Sequence, residues 1–414
     1  MPTSKDDDLS RLLAETLRRD PRASGMVKRS LQVMRRHLGL QVAYVSEFVD
    51  DLSVFREVDA PGLEALIKPG DSRPLDEVYC RHILAGRLPE LIPDTAREPL
   101  AVAMPITQAV PIGAHVSVPI RLADGSTYGM FCCLGPNADP SLNRRDLQMM
   151  RAFADLAAFE IDRVRRREVE LAERRATVQA LVEGDGLSIV HQPIEALTPR
   201  GVIGFECLAR FAGEPQRTPD VWFAEAEEVG LRTELEIAAV RLALASAAPL
   251  PDDVYVSINA SPATLLDDRF HAALAAVAGD RLVVEITENA TVENYGTLVE
   301  ALRPLRERGF RFAVDDAGAG YSSMQHILQL RPDFIKLDMS LTRDIDRDPA
   351  RRALADALIG FAHDVGSRIV AEGVETQEEL RTLQRLGADA VQGYLIGRPR
   401  PPAVFEADAD EAVA

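Results

Sequence analysis

Apolar residues recur along the chain with two different periods, and the switch between them marks its organisation. Leu9, Leu12, Leu13 and Leu17 fall on one helical face, which predicts a short amphipathic helix within a leading segment 1–25. Residues 26–38 read as a second helix. From Gln41 the period shortens to that of strands, in VAYVSEFV (42–49), AHVSVPIRL (114–122) and YGMFCCLG (128–135). The Asp124–Gly125 pair between the last two runs is a hairpin signal. Helix, strands, a proline-bearing middle and a closing hairpin predict a small α+β domain of the sensor type over 26–142.

A stretch without proline or glycine runs from Ser141 to Glu183, which predicts a helical connector over 143–183. Alternate steps of three and four from Leu147 pass through Met150, Ala154, Ala157, Ile161, Val164, Glu168, Leu171, Arg175, Val178 and Val182. That stripe is heptad-like, interrupted at Glu168 and Arg175. Two readings stand: a connector packed on its own domains, or a parallel dimer helix that carries strain between them.

Beyond it, strand-like runs alternate with amphipathic segments. The runs are 187–194, 202–210, 254–261, 281–288, 311–318, 333–340, 368–375 and 390–397, with helical stretches such as 232–248, 291–308, 349–364 and 376–386 between them. Eight such units over 184–405 predict a (β/α)8 barrel of the TIM type, ahead of an open doubly wound sheet, with an acidic tail at 406–414. The fold class expected is therefore multidomain: α+β domain, helical linker and α/β barrel.

Composition narrows the function. A formal charge of −18 argues against a whole-chain grip on polymeric nucleic acid or on an anionic membrane. The scattered Cys80, Cys132, Cys133 and Cys207 make no disulfide framework, and the N-terminus lacks a secretory signal pattern, so a cytoplasmic location is expected. Residues 99–120 carry no charge, but four prolines make a spanning helix a poor reading.

In a barrel of this type the active site lies at the C-terminal ends of the strands. Those ends read Gln192, Glu206, Asn259, Glu285 with Glu288, Asp315 with Asp316, Lys336 with Asp338, Glu372 with Glu375, and Gln392. Carboxylates converging on one mouth repel, by about 4 kcal/mol for a pair ~4 Å apart at an effective dielectric near 20, and so call for protons or hard cations. Oxygen ligands without His or Cys favour Mg²⁺ or Mn²⁺, and the adjacent Asp315–Asp316 pair suits two of them. Lys336 adds a cation to orient a water or neutralise phosphate charge. The residues read as metal-dependent hydrolysis of a phosphoester.

The motifs ECLAR (206–210), NAS (259–261), EITE (285–288), DDAGAGYSS (315–323), IKLD (335–338), EGVET (372–376) and QGY (392–394) occur in the order of the EAL-domain cyclic di-GMP phosphodiesterases, which residues 187–402 resemble. The resemblance implies opening of cyclic di-GMP to linear pGpG by bacterial signalling enzymes that use two Mg²⁺ or Mn²⁺ per site. It implies that Glu206, Asn259, Glu285 and Asp315 hold one metal, and that Asp315, Asp316 and Glu372 hold the other. Lys336 would position the water, with Glu206 and Glu372 also catalytic, and Gln392 would support that shell. Gln192, Leu208, Arg210 and Gln392 would meet the nucleotide, while Glu288 and Glu375 would position loops.

Two positions depart from the family pattern. Cys207 stands for the usual alanine, with little effect expected, and Ala317 replaces the usual aromatic of the DDFG motif on a loop that links metal site and dimer interface. The second departure keeps open an alternative, a cyclic di-GMP-binding effector that signals to a partner protein; a structural protein with a relict barrel is disfavoured because no ligand is lost. Residues 26–160 resemble a GAF domain through the hairpin AHVSVPIRLADGSTYGMFCCLG and the pattern before it, which implies a small ligand or partner there, regulation of the barrel, and a homodimer. Cys80, His82 and His115 are candidates for its pocket, against the plainer reading of ordinary packing.

Overall fold

The computed structural model describes residues 25–212, 216–286, 294–318 and 321–401. The expected leading helix, Glu288 and the acidic tail lie outside the described residues. The chain forms two compact units, divided between Glu170 and Leu171.

In the first unit, the helix Met26–Leu38 ends on Gly39, whose φ of 68° supplies the left-handed cap. The strands are β1 (Val42–Val49), β2 (Leu52–Asp59), β3 (Ser72–Pro74), β4 (Leu91–Ile92), β5 (Ala114–Arg121) and β6 (Thr127–Gly135). They form one antiparallel sheet in the order β3-β2-β1-β6-β5-β4. Strand alternation divides its side chains between two cores. Ala43, Val45, Val118 and Phe131 pack with Leu31, Met34, Met150 and Phe153 of two helices. Val42, Tyr44, Met130 and Cys132 face a layer that contains Tyr79, Ile83 and Met104. The uncharged stretch 99–120 becomes the short helices Pro99–Ala103 and Pro105–Ala109 followed by β5. Among the described residues no helix is long and apolar enough to cross a membrane.

The connector is the single helix Arg144–Glu183. Its apolar stripe is used within each unit: Met150, Ala154 and Ala157 are buried in the first core, and Val178 and Val182 pack with the cluster of Leu187, Trp222 and Leu235 in the second. Val164, Glu168 and Arg175, between them, are exposed.

The second unit is a closed barrel of β7 (Leu187–Leu197), β8 (Arg200–Phe211), β9 (Tyr255–Ala260), β10 (Leu282–Ile286), β11 (Arg311–Ala317), β12 (Phe334–Leu337), β13 (Arg368–Ala371) and β14 (Ala390–Gln392). The regular alternation expected from the sequence fails at its first step. β7 runs antiparallel to both β8 and β14, and a tight turn at Thr198–Pro199 joins it to β8 in place of a helix. The reason is spacing: the segment between these runs is too short for a parallel crossover, which takes a dozen or more residues, whereas a hairpin needs about two. The other helices expected between runs form, as Arg232–Ser246, Tyr295–Glu307, Pro349–Asp364 and Gln377–Leu386.

Inside the barrel, side chains stack in layers. Ile194, Tyr255, Val283, Ala313, Phe334, Val370 and Ala390 make one apolar cluster, with the Tyr255 and Phe334 rings stacked at 5.7 Å. Gly204 leaves room for it, since a Cβ there would meet the Tyr255 ring at 2.6 Å. Each large side chain buried here contributes about 1.5–3 kcal/mol. Strand period two then dictates what lies above. Two residues along the parallel strands come Glu206, Ser257, Glu285, Asp315, Lys336, Glu372 and Gln392; two residues back along the reversed β7 comes Gln192. The polar ring thus rests on an apolar plug.

Candidate active site

Lys336 is the centre of that ring. It is 2% exposed, and its Nζ lies 2.6 Å from Glu285 Oε2, 2.6 Å from Glu372 Oε1, 3.2 Å from Asp315 Oδ1 and 3.4 Å from Glu206 Oε1. Glu206 also accepts hydrogen bonds from Asn259 Nδ2 at 3.0 Å and Gln392 Nε2 at 2.6 Å. The Gln392 amide reaches Gln192 Oε1 at 3.1 Å as well, and Gln192 donates to the Gly397 carbonyl. Gln192 therefore joins the site from the middle of its strand, not from the C-terminal end where the sequence reading placed it, because β7 is reversed.

Asp315 and Asp316 owe their joint presentation to a bulge. Val314 pairs with Ile335 and Ala317 with Leu337, so two residues of β11 face the single residue Lys336 of β12. Asp316 takes a φ of 53°, in the left-handed region an aspartate tolerates better than most residues. Oxygens of Asp315, Asp316 and Glu372 all lie within 4.8 Å of one another, a set that could hold a metal ion. On the next turn of chain, Ser261 donates its N–H (2.9 Å) and hydroxyl (2.7 Å) to the buried Glu236 Oε2, which fixes the segment just after Asn259.

The electrostatics reflect burial and crowding. Burial alone would lower the Lys336 pKa, but Asp315, Glu206, Glu285 and Glu372 outweigh it and hold the ammonium well above its ordinary value. Burial, then the charge on Glu206, push the Glu285 carboxyl up to about 8. Glu372 is raised well above the carboxylate range by burial and by Asp315, with Lys336 opposing. Burial acts on Glu206 in the same sense, yet Lys336 and the amides of Gln392 and Asn259 hold it below its usual value. Five carboxylates against one ammonium leave excess negative charge with oxygen donors only, which fits hard divalent cations.

The ring opens into a cavity of about 470 Å³ whose rim includes Asp338, Arg343, Glu375 and Tyr394. Glu375 accepts a hydrogen bond from Arg343 at 2.6 Å, and its backbone N–H is held by Glu379 of the following helix cap. A second cavity of about 410 Å³ shares Leu208, Asp315 and Asp316 with the first and contains Arg210, Phe223 and Arg232. Arg210 is anchored through a hydrogen bond to the Ala209 carbonyl. Cys207 packs in the core cluster that includes Val240 and Ile258, and burial raises its thiol pKa. Ala317 is fully buried beside Leu337, Leu341 and Leu358.

Residues 174–399, more than half of the chain, match the model of the EAL domain, and residues 24–161 match that of the GAF domain. The chain belongs to the EAL domain family. It is 33% identical over 299 residues to an uncharacterized signaling protein of Caulobacter vibrioides, covering 67% of this chain and 37% of that one. It is 30% identical over 312 residues to the cyclic di-GMP phosphodiesterase NbdA of Pseudomonas aeruginosa, covering 70% and 40%. The chain thus spans about two fifths of the length of these relatives. An EAL domain protein of Listeria monocytogenes superposes with a TM-score of 0.51 at 23% identity, over 57% of this chain and 97% of that one, and shows the shared fold.

In this EAL barrel the expected ligands Glu206, Asn259, Glu285, Asp315, Asp316 and Glu372 meet around Lys336, and Gln192, Leu208 and Gln392 border the same mouth. Arg210 lines the adjoining cavity instead. Sequence reasoning missed Arg343, Arg232 and Glu236. Only Glu236 left a signal, a carboxylate on the apolar face of a helix between Leu235 and Ile237.

Proposed function

We propose that the barrel hydrolyses cyclic di-GMP to linear pGpG. The observation that carries this reading is the Lys336-centred cluster, with four carboxylates on one buried ammonium and the Asp315–Asp316–Glu372 triad beside it. The name of the relative NbdA supports the substrate. Glu206, Asn259, Glu285 and Asp315 would hold one Mg²⁺ or Mn²⁺, and Asp315, Asp316 and Glu372 a second. Such a pair supplies a water of lowered pKa and neutralises charge on the phosphate oxygens. Water oxygen adds to phosphorus, the P–O3′ bond breaks, and a 5′-phosphate and a 3′-hydroxyl result.

Lys336 acts here as a donor and not as a base, because its neighbours keep it protonated. Gln392 and Asn259 fix the Glu206 carboxylate, so its orientation does not depend on substrate. The two adjoining cavities, meeting at Leu208 and the aspartate pair, match a ligand with two bases flanking a phosphate centre. We further assign 26–142 as a regulatory unit, 143–183 as the connector and 184–405 as the enzyme, acting as a cytoplasmic homodimer.

Incubation of the full chain with cyclic di-GMP and Mg²⁺ or Mn²⁺ should yield pGpG by liquid chromatography, and Glu206→Ala should reduce the rate by at least ~10²-fold. Tight calorimetric binding without turnover, across both metals, would overturn this in favour of a binding effector.

A further inference from the structure

A third cavity, of about 340 Å³, lies within the α+β unit between the sheet and the Tyr79-bearing layer. Of the three residues the sequence offered for a pocket here, His115 borders it, while Cys80 and His82 do not. Aromatic residues make up 5% of the chain, yet Tyr44, Phe55 and Tyr79 join His115 around this one space. Tyr44 and Phe55 pack with centroids 4.7 Å apart, and Tyr79 meets the His115 ring edge-on at 4.9 Å. The remaining walls are largely aliphatic, Val42, Ile67 and Ile112 among them.

Two polar features give the cavity a direction. His115 is 2% exposed, and its Nδ1 is buried without a hydrogen-bond partner, while the ring also meets the Cys132 thiol. Leaving a buried imidazole nitrogen unpaired is unfavourable, so a partner there is favoured. At the other end Arg73, on the edge strand β3, is exposed and makes no ion pair among the described residues. A single guanidinium neutralises one negative charge, and nothing else in the lining would meet a second.

We propose that this cavity binds a small aromatic monocarboxylate. Its ring lies among Tyr44, Phe55 and Tyr79, its carboxylate pairs with Arg73, and a ring N–H donates to His115 Nδ1. Offset and edge contacts favour a planar ring over an alkyl chain, and a charge-assisted pair favours the acid over its neutral analogue. The volume sits at the low end of the ~300–1,000 Å³ typical of small-molecule sites. The proposal does not rest on the phosphodiesterase reading: loss of hydrolysis would leave the binding intact.

Calorimetric titration of the full chain tests it with three probes: indole-3-acetate, phenylacetate and the neutral alcohol tryptophol. Indole-3-acetate should bind saturably and at least ~10-fold more tightly than tryptophol. Arg73→Ala, an exposed change, should remove that difference and leave tryptophol binding as it was. His115→Phe keeps a ring but removes the acceptor, so it should weaken indole-3-acetate and spare phenylacetate. The proposal is overturned if neither acid binds up to roughly 5 mM, a level weaker than any useful site, or if the preference for acid over alcohol survives Arg73→Ala. An unchanged preference for the indole over the phenyl acid in His115→Phe overturns the role given to Nδ1.

Discussion

At the scale of single residues, the site is a problem of charge in a small buried volume. Glu285 shows the consequence most directly. Its carboxyl is raised from an ordinary value of 4.5 to about 8 in the folded chain. Between those two values the folded state keeps a proton that the unfolded state has released, so stability falls as pH rises through this window. Glu372, raised as well, adds in the same sense. In the presence of EDTA, the urea midpoint should therefore drop from pH 5.5 to pH 8, and Glu285→Gln should flatten the decline. A divalent metal held by Glu285 would compete with that same proton, so Mn²⁺ should raise the midpoint more at pH 8 than at pH 6. A midpoint independent of pH in EDTA would count against the assigned burial of these carboxyls. Lys336 sets the opposite limit, since removing it would strand four buried or half-buried carboxylates at once.

At the scale of elements, the ring of functional groups exists because the layer beneath it is well packed. Gly204→Val would drive a side chain into the Tyr255 ring. It should cost about 1–3 kcal/mol by urea denaturation, and Tyr255→Leu in the same chain should recover part of that loss. Equal stability of Gly204→Val and the parent would show that the plug is looser than these contacts imply. Alternation made most of this readable from residues alone: the apolar position and the polar one two places on share a face, so strand-end carboxylates had to converge. The reversal of β7 was also legible, though not read: only seven residues separate the runs 187–194 and 202–210, too few for a parallel crossover. Two features were not readable. The bulge at Asp315–Asp316 is set by pairing with β12, which no local pattern encodes. The heptad-like stripe on the connector was legible as apolar, but what it packs on is a property of its surroundings.

For the whole molecule, the connector's exposed middle is the feature to perturb. If the α+β unit governs the barrel through this helix, angular phase should matter more than length. One residue inserted between 163 and 169 turns the C-terminal half of the helix by about 100°, whereas seven residues turn it by a net of about 20°. The single insertion should change the hydrolysis rate several-fold, and the seven-residue insertion should leave it within about twofold. Equal rates for both would argue against coupling along the helix. The reversal of β7 has a bearing on this. Because that strand runs backwards, its start at Leu187 pairs with Phe211 at the mouth end of β8. The last turns of the connector therefore arrive at the end of the barrel that carries the Lys336 ring. There Arg174 and Arg175 grip Glu228 and the Val229 carbonyl at the end of the helix Pro219–Glu228, whose other end walls the second cavity. A parallel first strand would have delivered the chain to the opposite end, behind the apolar plug. A signal carried along the helix would therefore enter at the same end of the barrel as the Lys336 ring, with no barrel to cross.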